Sequence, residues 1–192
     1  IKEILKDRDR ANMILLRGYA KFREFESVHD RFGLNAVAKT EYHMYRGLAK
    51  LVGMQVSTPY KNLNEVSSIL NEKYKENNFF FIHFKKTDAA GEDGNFVEKV
   101  KEIETFDEFI PDVMKFKPDV LVVTGDHSTT SVMAGHSWHP VPFLINSPFV
   151  RKSNIEHFDE KNCQLGLWSR IKGTDLMVLM LANAGKLKKY GA

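Results

Sequence analysis

One carboxylate and three imidazoles fall within fourteen residues of each other. Asp126 and His127 stand together after the apolar run Val120 to Val123, and His136 and His139 follow before a second apolar run, Val141 to Ile145. Nitrogen and oxygen donors in this proportion suit a divalent transition metal. Upstream, the polar stretch K-K-T-D-A-A-G-E-D-G-N-F places Asp88 and Glu92 four residues apart, so that one helical turn would aim both at the same point. Gly91 and Gly94 permit close backbone approach there. Arg17, set before Gly18 after the apolar run Met13 to Leu16, is a third feature with chemical potential, because a guanidinium at a strand end can clamp an anion through two hydrogen bonds. Each feature also has an ordinary structural reading: a turn with a helix cap, a solvated acidic loop, and a surface arginine beside a turn. His83, inside the aromatic run F-F-F-I-H-F, reads as a packed or edge-facing histidine and not a ligand.

The elements that must position these groups follow from periodicity. Val120 to Val123, bounded by Pro118 and Gly125, has the pattern of a strand buried on both faces, as in a parallel sheet. Asn78 to Phe84 is a second apolar strand with strong β propensity. Phe96 to Phe116 between them reads as one long helix or two divided near Thr105, and strand, helix and strand make a right-handed βαβ unit. Both acidic loops then lie at the carboxyl edge of one sheet, where ligands collect in α/β folds. Further elements are the end of a helix over residues 1 to 12, a strand over Met13 to Leu16, a short helix over Phe25 to Phe32 closed by Gly33, and a strand over Leu34 to Ala38. Helices are expected over Tyr42 to Leu51, Asn64 to Tyr74 and Thr174 to Leu187, with another starting near Ser153. The polar stretch from Met54 to Lys61, which contains Pro59, is the candidate domain boundary.

Composition narrows the class. At 192 residues, with 43% hydrophobic and 28% charged residues, the chain has the balance of a globular protein with its own core. A net charge of +3 is too small and too scattered to argue for nucleic acid. The single Cys163 excludes a disulfide framework and suits a reducing cytoplasm, and no apolar run reaches membrane-spanning length. The first residue is Ile1, inside a charged helical pattern, so the chain is read as a piece of something longer.

T-G-D-H-S-T-T followed by H-S-W-H-P-V-P-F resembles the C-terminal signature of cofactor-independent phosphoglycerate mutases of the archaeal-type branch, in the alkaline phosphatase superfamily. K-K-T-D-A-A-G-E-D-G resembles that branch's Lys-Gly-Thr-Asp-x-x-Gly-His-Asp-Gly segment, and A-N-M-I-L-L-R-G, G-L-N-A-V-A, Y-R-G-L-A-K-L-V-G-M and the closing A-G-K-L-K-K-Y-G-A are similar to further stretches. The resemblance implies an α/β fold, an alkaline-phosphatase-like core with a mostly parallel sheet, carrying the tail of an inserted transferase-type domain. By that pattern residues 1–54 end the inserted domain and 55–192 return to the metal-binding core. It implies interconversion of 2- and 3-phosphoglycerate through a phosphoserine, without 2,3-bisphosphoglycerate, with the serine upstream of this chain and no catalytic nucleophile inside it. The resemblance further implies two divalent ions, manganese first, with zinc, cobalt or magnesium as alternatives. Asp88, His136 and position 92 would hold one, Asp126 and His127 the other. Arg17 and Lys85 match substrate-gripping positions, and Arg46 is a weaker candidate. Position 92 departs from the pattern, with Glu92 where the family has histidine. The rival readings are another phosphomonoesterase or phosphopentose mutase of the same superfamily, and a non-catalytic metal-binding α/β module. The expected partner is the small-molecule substrate, with no nucleic acid or membrane, and a homo-oligomer remains open.

Overall fold

The computed structural model describes residues 1–187. The central strand β1 (Ala36–Thr40) is buried along its whole length because it is paired on both edges. On one side lies the short parallel strand β2 (Gln55–Val56), and on the other the parallel strand β3 (Phe79–His83), in register from Ala36 opposite Phe79 to Thr40 opposite His83. Between β1 and β2 runs helix α2 (His43–Leu51), and between β2 and β3 runs α3 (Asn64–Lys73). The sheet therefore runs across the division expected at residue 54.

Helix α1 (Val28–Phe32) begins at Ser27, whose hydroxyl accepts from the Asp30 N–H, and ends at Gly33 in the left-handed conformation that glycine adopts without steric cost. Val28 packs with Leu34, Ala36 and Leu181 into one core. A second core forms where Val66 of α3 meets Tyr60 and Phe109. Phe109 belongs to α5 (Phe96–Met114), a single helix that continues past Thr105 and through Pro111. Its N-terminus is capped by the Asn95 side chain, which accepts from the Glu98 N–H.

After α5 come strand β4 (Leu121–Thr124), strands β5 (Ser128–Thr130) and β6 (Gly135–Ser137) of a hairpin, and strand β7 (Phe143–Asn146). Here the expected topology needs correction. Among the described residues β4 pairs antiparallel with β7 alone, and β3 and β4 are not hydrogen-bonded, so β3, α5 and β4 do not form a one-sheet βαβ unit. An apolar run reports burial but not the direction of its partner. The facing edges of β3 and β4 instead flank a cavity of about 350 Å³, lined by Phe80, Ile82, Phe106, Val122, Val123 and Met177 among others.

Other differences each have their own local cause. Residues 1–27 hold no helix or strand, and the run Met13 to Leu16 is exposed, with Leu15 87% accessible. A strand needs an edge to pair with, and none reaches this run among the described residues. The helix expected near Ser153 starts later, as α6 (Glu160–Cys163), because the Asp159 carboxylate accepts from the Asn162 N–H and fixes the start there. The closing helix is shorter than its pattern. A 3₁₀ turn (Gly173–Asp175) leads into α7 (Leu176–Asn183), and Gly185 at φ +66° follows its end. The last residues of the closing A-G-K-L-K-K-Y-G-A stretch lie outside those described. Among the described residues no helix is long and apolar enough to cross a membrane.

Candidate metal centre

Two chain segments distant in sequence build the site. The first follows β3: Lys85 precedes helix α4 (Lys86–Glu92), and Asp88 sits in its first turn, where the positive end of the helix dipole favours a carboxylate. The second is the β5–β6 hairpin. Side chains alternate along a strand, so His127 and Thr129 share a face, and Thr129 stands opposite His136 in the ladder. That common face is turned toward α4. The approach is close because Gly91 has no side chain, and a Cβ there would come 2.6 Å from the Thr129 carbonyl oxygen.

Asp88, His127 and His136 each bring one donor atom within 4.8 Å of the others. Asp88 Oδ1 lies 3.7 Å from His127 Nδ1 and 3.7 Å from His136 Nε2, too long for hydrogen bonds. The two imidazole rings are 3.9 Å apart between centroids. Donors bound about 2.1 Å from a single cation are roughly 3–3.5 Å apart, so the Asp88–His136 pair comes close to the spacing of a shared divalent ion. His127 Nδ1 is taken up by Thr129 Oγ1 at 3.0 Å, which leaves its Nε2 for an ion. Glu92 joins the cluster through Oε1, 3.4 Å from His136 Nε2. Asp126 joins through Oδ2, 3.5 Å from His127 Nε2. The structure thus brings Asp88, Glu92, Asp126, His127 and His136 together. The tightest triad takes His127 from one expected ligand set and Asp88 and His136 from the other.

The two aspartates are held ionised. Burial pushes the Asp88 carboxyl upward, but hydrogen bonds from Lys85 and Thr129 and the nearby positive charge outweigh it and keep it below the usual range. Asp126 behaves likewise, with burial outweighed by the hydrogen bond from the Tyr45 hydroxyl and by His127. Lys85 is raised despite its burial, because Asp88 accepts from its ammonium and Glu92 Oε2 lies 3.6 Å away. Its ammonium also lies 5.1 Å from the centre of the Tyr42 ring.

The remaining sequence candidates are placed differently. Arg46 is half-buried on α2 and its Nη1 donates to the Ser57 carbonyl at 2.6 Å, tying the helix to the chain after β2. Arg17 is exposed in the irregular N-terminal stretch. His139 is exposed, its Nδ1 2.9 Å from Ser137 Oγ and its ring stacked on Trp138. His83 is packed, as its position inside an apolar strand suggests, with its ring centroid 4.5 Å from that of Tyr45 and Nδ1 3.3 Å from Thr40 Oγ1.

Two contributors were not visible as such in the sequence. Tyr45 reaches Asp126 across 81 residues, and burial followed by that hydrogen bond raises its hydroxyl to about 12. Thr129 is 5% exposed, and its hydroxyl donates to Asp88 and lies 3.0 Å from His127 Nδ1. Only its spacing of two from His127 hinted at that role.

Comparison with known proteins agrees with this chemistry. The chain is 46% identical over 192 residues to a protein of Thermotoga neapolitana named as a probable 2,3-bisphosphoglycerate-independent phosphoglycerate mutase, covering 100% of this chain and 48% of that protein. A Thermus thermophilus protein of the same name is 44% identical over 196 residues, again with 48% of its length covered. The chain thus spans about half the length of the curated relatives it matches. Among solved structures, a Pyrococcus horikoshii protein superposes with a TM-score of 0.82 at 30% identity, over 87% of this chain and 54% of that one. The cofactor-independent phosphoglycerate mutase of Thermoplasma acidophilum gives 0.66 at 20% identity, over 84% of this chain and 40% of that one, a likeness of fold. The donor atoms of Asp88, His127 and His136 lie within 4.8 Å of one another, and residues 9–183 match the family model of the metalloenzyme superfamily, so the chain belongs to that superfamily.

Proposed function

We propose that this chain forms the metal-binding part of an enzyme that interconverts 2-phosphoglycerate and 3-phosphoglycerate without 2,3-bisphosphoglycerate. The observation that carries the reading is the convergence of Asp88, His127 and His136, with Glu92 and Asp126 beside them, in a chain similar throughout its length to proteins of that name. Two divalent ions, manganese first, are proposed: Asp88, Glu92 and His136 would hold one, and Asp126 and His127 would hold the other. A site that mixes carboxylate oxygens with two imidazoles suits manganese, and Glu92 in place of a histidine shifts the donor set further toward oxygen and away from zinc. When bound, such ions supply the charge that lowers the pKa of a hydroxyl nucleophile and neutralises phosphoryl oxygens in flight.

The chain's own residues hold and orient. Asp88 and Asp126 stay ionised and offer oxygens, while Thr129 fixes His127 through Nδ1. Lys85, at the rim of the cluster, keeps its proton and can meet a phosphate oxygen as a point charge. Arg17 is proposed to grip the substrate anion, and Arg46 would contribute only through N–H groups other than those donating to Ser57 and Thr40. The serine that accepts the phosphoryl group is proposed to come from chain outside these residues. Among the described residues the facing edges of β3 and β4 have no strand partner and flank an apolar cavity, which supports the view that further chain completes this core. The division between inserted domain and core is then proposed to lie near Ser27 and not at residue 54, since β1 and β3 share one sheet. The lone Cys163 suits a cytoplasmic setting.

The test is a coupled mutase assay of the intact gene product, with and without Mn²⁺ and without bisphosphoglycerate. Turnover that chelation abolishes and Mn²⁺ restores is expected, while the 192-residue chain alone should be inactive. Two bound ions with no phosphoglycerate turnover, or turnover on pentose phosphates alone, would overturn the proposal.

A further inference from the structure

Lys99, in the first turn of α5, is absent from every ligand set considered above. Its half-buried ammonium donates to two main-chain carbonyls, Thr87 at 3.1 Å and Thr129 at 2.7 Å. Thr87 is the residue before Asp88 on α4. Thr129 carries the hydroxyl that binds Asp88 and His127, and it stands opposite His136. One ammonium therefore joins the backbone on both sides of the centre. Gly91 completes the joint, because a Cβ there would lie 2.9 Å from Lys99 Nζ as well as 2.6 Å from the Thr129 carbonyl. Burial lowers the ammonium from the ordinary lysine value, and Asp88 opposes that fall. A hydrophobic side chain of equal length could fill this space but could not bind either carbonyl.

We propose that Lys99 is a positioning residue of the metal centre, its ammonium locking α4 against β5 and so setting the separation of Asp88 from His127 and His136. The inference rests on the metal-centre reading and deepens it. Groups that orient ligands from behind typically change metal affinity by about 10–100-fold when removed.

The experiment titrates the intact gene product with Mn²⁺ by electron paramagnetic resonance and with Co²⁺ by visible absorption, for wild type, Lys99→Met, Lys99→Arg and Gly91→Ala. Lys99→Met should bind both ions about 10–100-fold more weakly and shift the Co²⁺ bands, while keeping a cooperative thermal transition. Lys99→Arg should recover most of the affinity, since a guanidinium retains donors for both carbonyls. Wild-type affinity and bands in Lys99→Met overturn the proposal. So does a loss that Lys99→Arg leaves unrestored with the bands unmoved, the mark of general destabilisation. If Lys99→Met does not fold, Gly91→Ala decides: weaker binding with shifted bands supports the lock, and unchanged binding overturns it. A wild-type protein that binds neither ion overturns the metal-centre reading itself, which the variants alone cannot do.

Discussion

Thr129→Val removes one oxygen from the centre and almost nothing else. The side chain is 5% exposed, and valine has nearly the same shape, so the change opens no cavity of note. It deletes the donor to Asp88 and the partner of His127 Nδ1. A hydrogen bond to a charged group contributes about 1.5–3 kcal/mol, and the half-buried Asp88 oxygen loses a partner that solvent cannot fully replace. For a chain of this size that corresponds to a fall in Tm of roughly 3–12 °C. His127 also becomes free to rotate about its Cβ–Cγ bond, so Mn²⁺ affinity should fall by about 10–100-fold. Differential scanning calorimetry without metal and Mn²⁺ titration calorimetry read the two effects separately. Thr129→Ser, which keeps the hydroxyl, should restore most of the metal affinity. A valine variant with wild-type Tm and wild-type affinity would refute the reasoning that this hydroxyl organises Asp88 and His127.

Further outcomes follow from the same geometry. Asp88 and Asp126 have carboxyls below the ordinary value near 4, so their contribution to stability is present above that pH and lost as pH falls through their folded pKa values. Chemical denaturation between about pH 2 and 5 should show this loss, and Asp88→Asn should flatten its slope. Tyr45 titrates at about 12, so the stability it contributes is present below about pH 10 and disappears as pH rises through 12. Ultraviolet titration of wild type against Tyr45→Phe should show one late-ionising phenol missing from the variant. Glu92→His should shift ion preference toward Zn²⁺ relative to Mn²⁺, measured by competition between the two ions.

Much of the site was legible because its signals are local. Asp126 and His127 follow an apolar run, and Asp88 and Glu92 have helical spacing, so each pair could be placed without tertiary information. That they meet was inferred from a shared sheet edge. The structure brings them together, but by a different route: α4 rests on the β5–β6 hairpin through Gly91, while β3 and β4 do not pair with each other. Pairing direction is set by partners far away in sequence, which the run Val120 to Val123 does not encode. Met13 to Leu16 shows the same limit, since its apolar side chains find no edge to join among the described residues. Tyr45 and Lys99 could not be found because what defines them is a contact, to Asp126 in one case and to two carbonyls in the other.

The central claim is that α4 and the β5–β6 hairpin present their donors to a common divalent cation. An anomalous difference map at the manganese edge, from crystals of the intact protein soaked in Mn²⁺, tests it most directly. The account predicts a peak about 2.0–2.3 Å from an Asp88 oxygen and from nitrogens of His127 and His136. No peak there, or imidazoles turned away from Asp88 with the ion bound elsewhere, would contradict it.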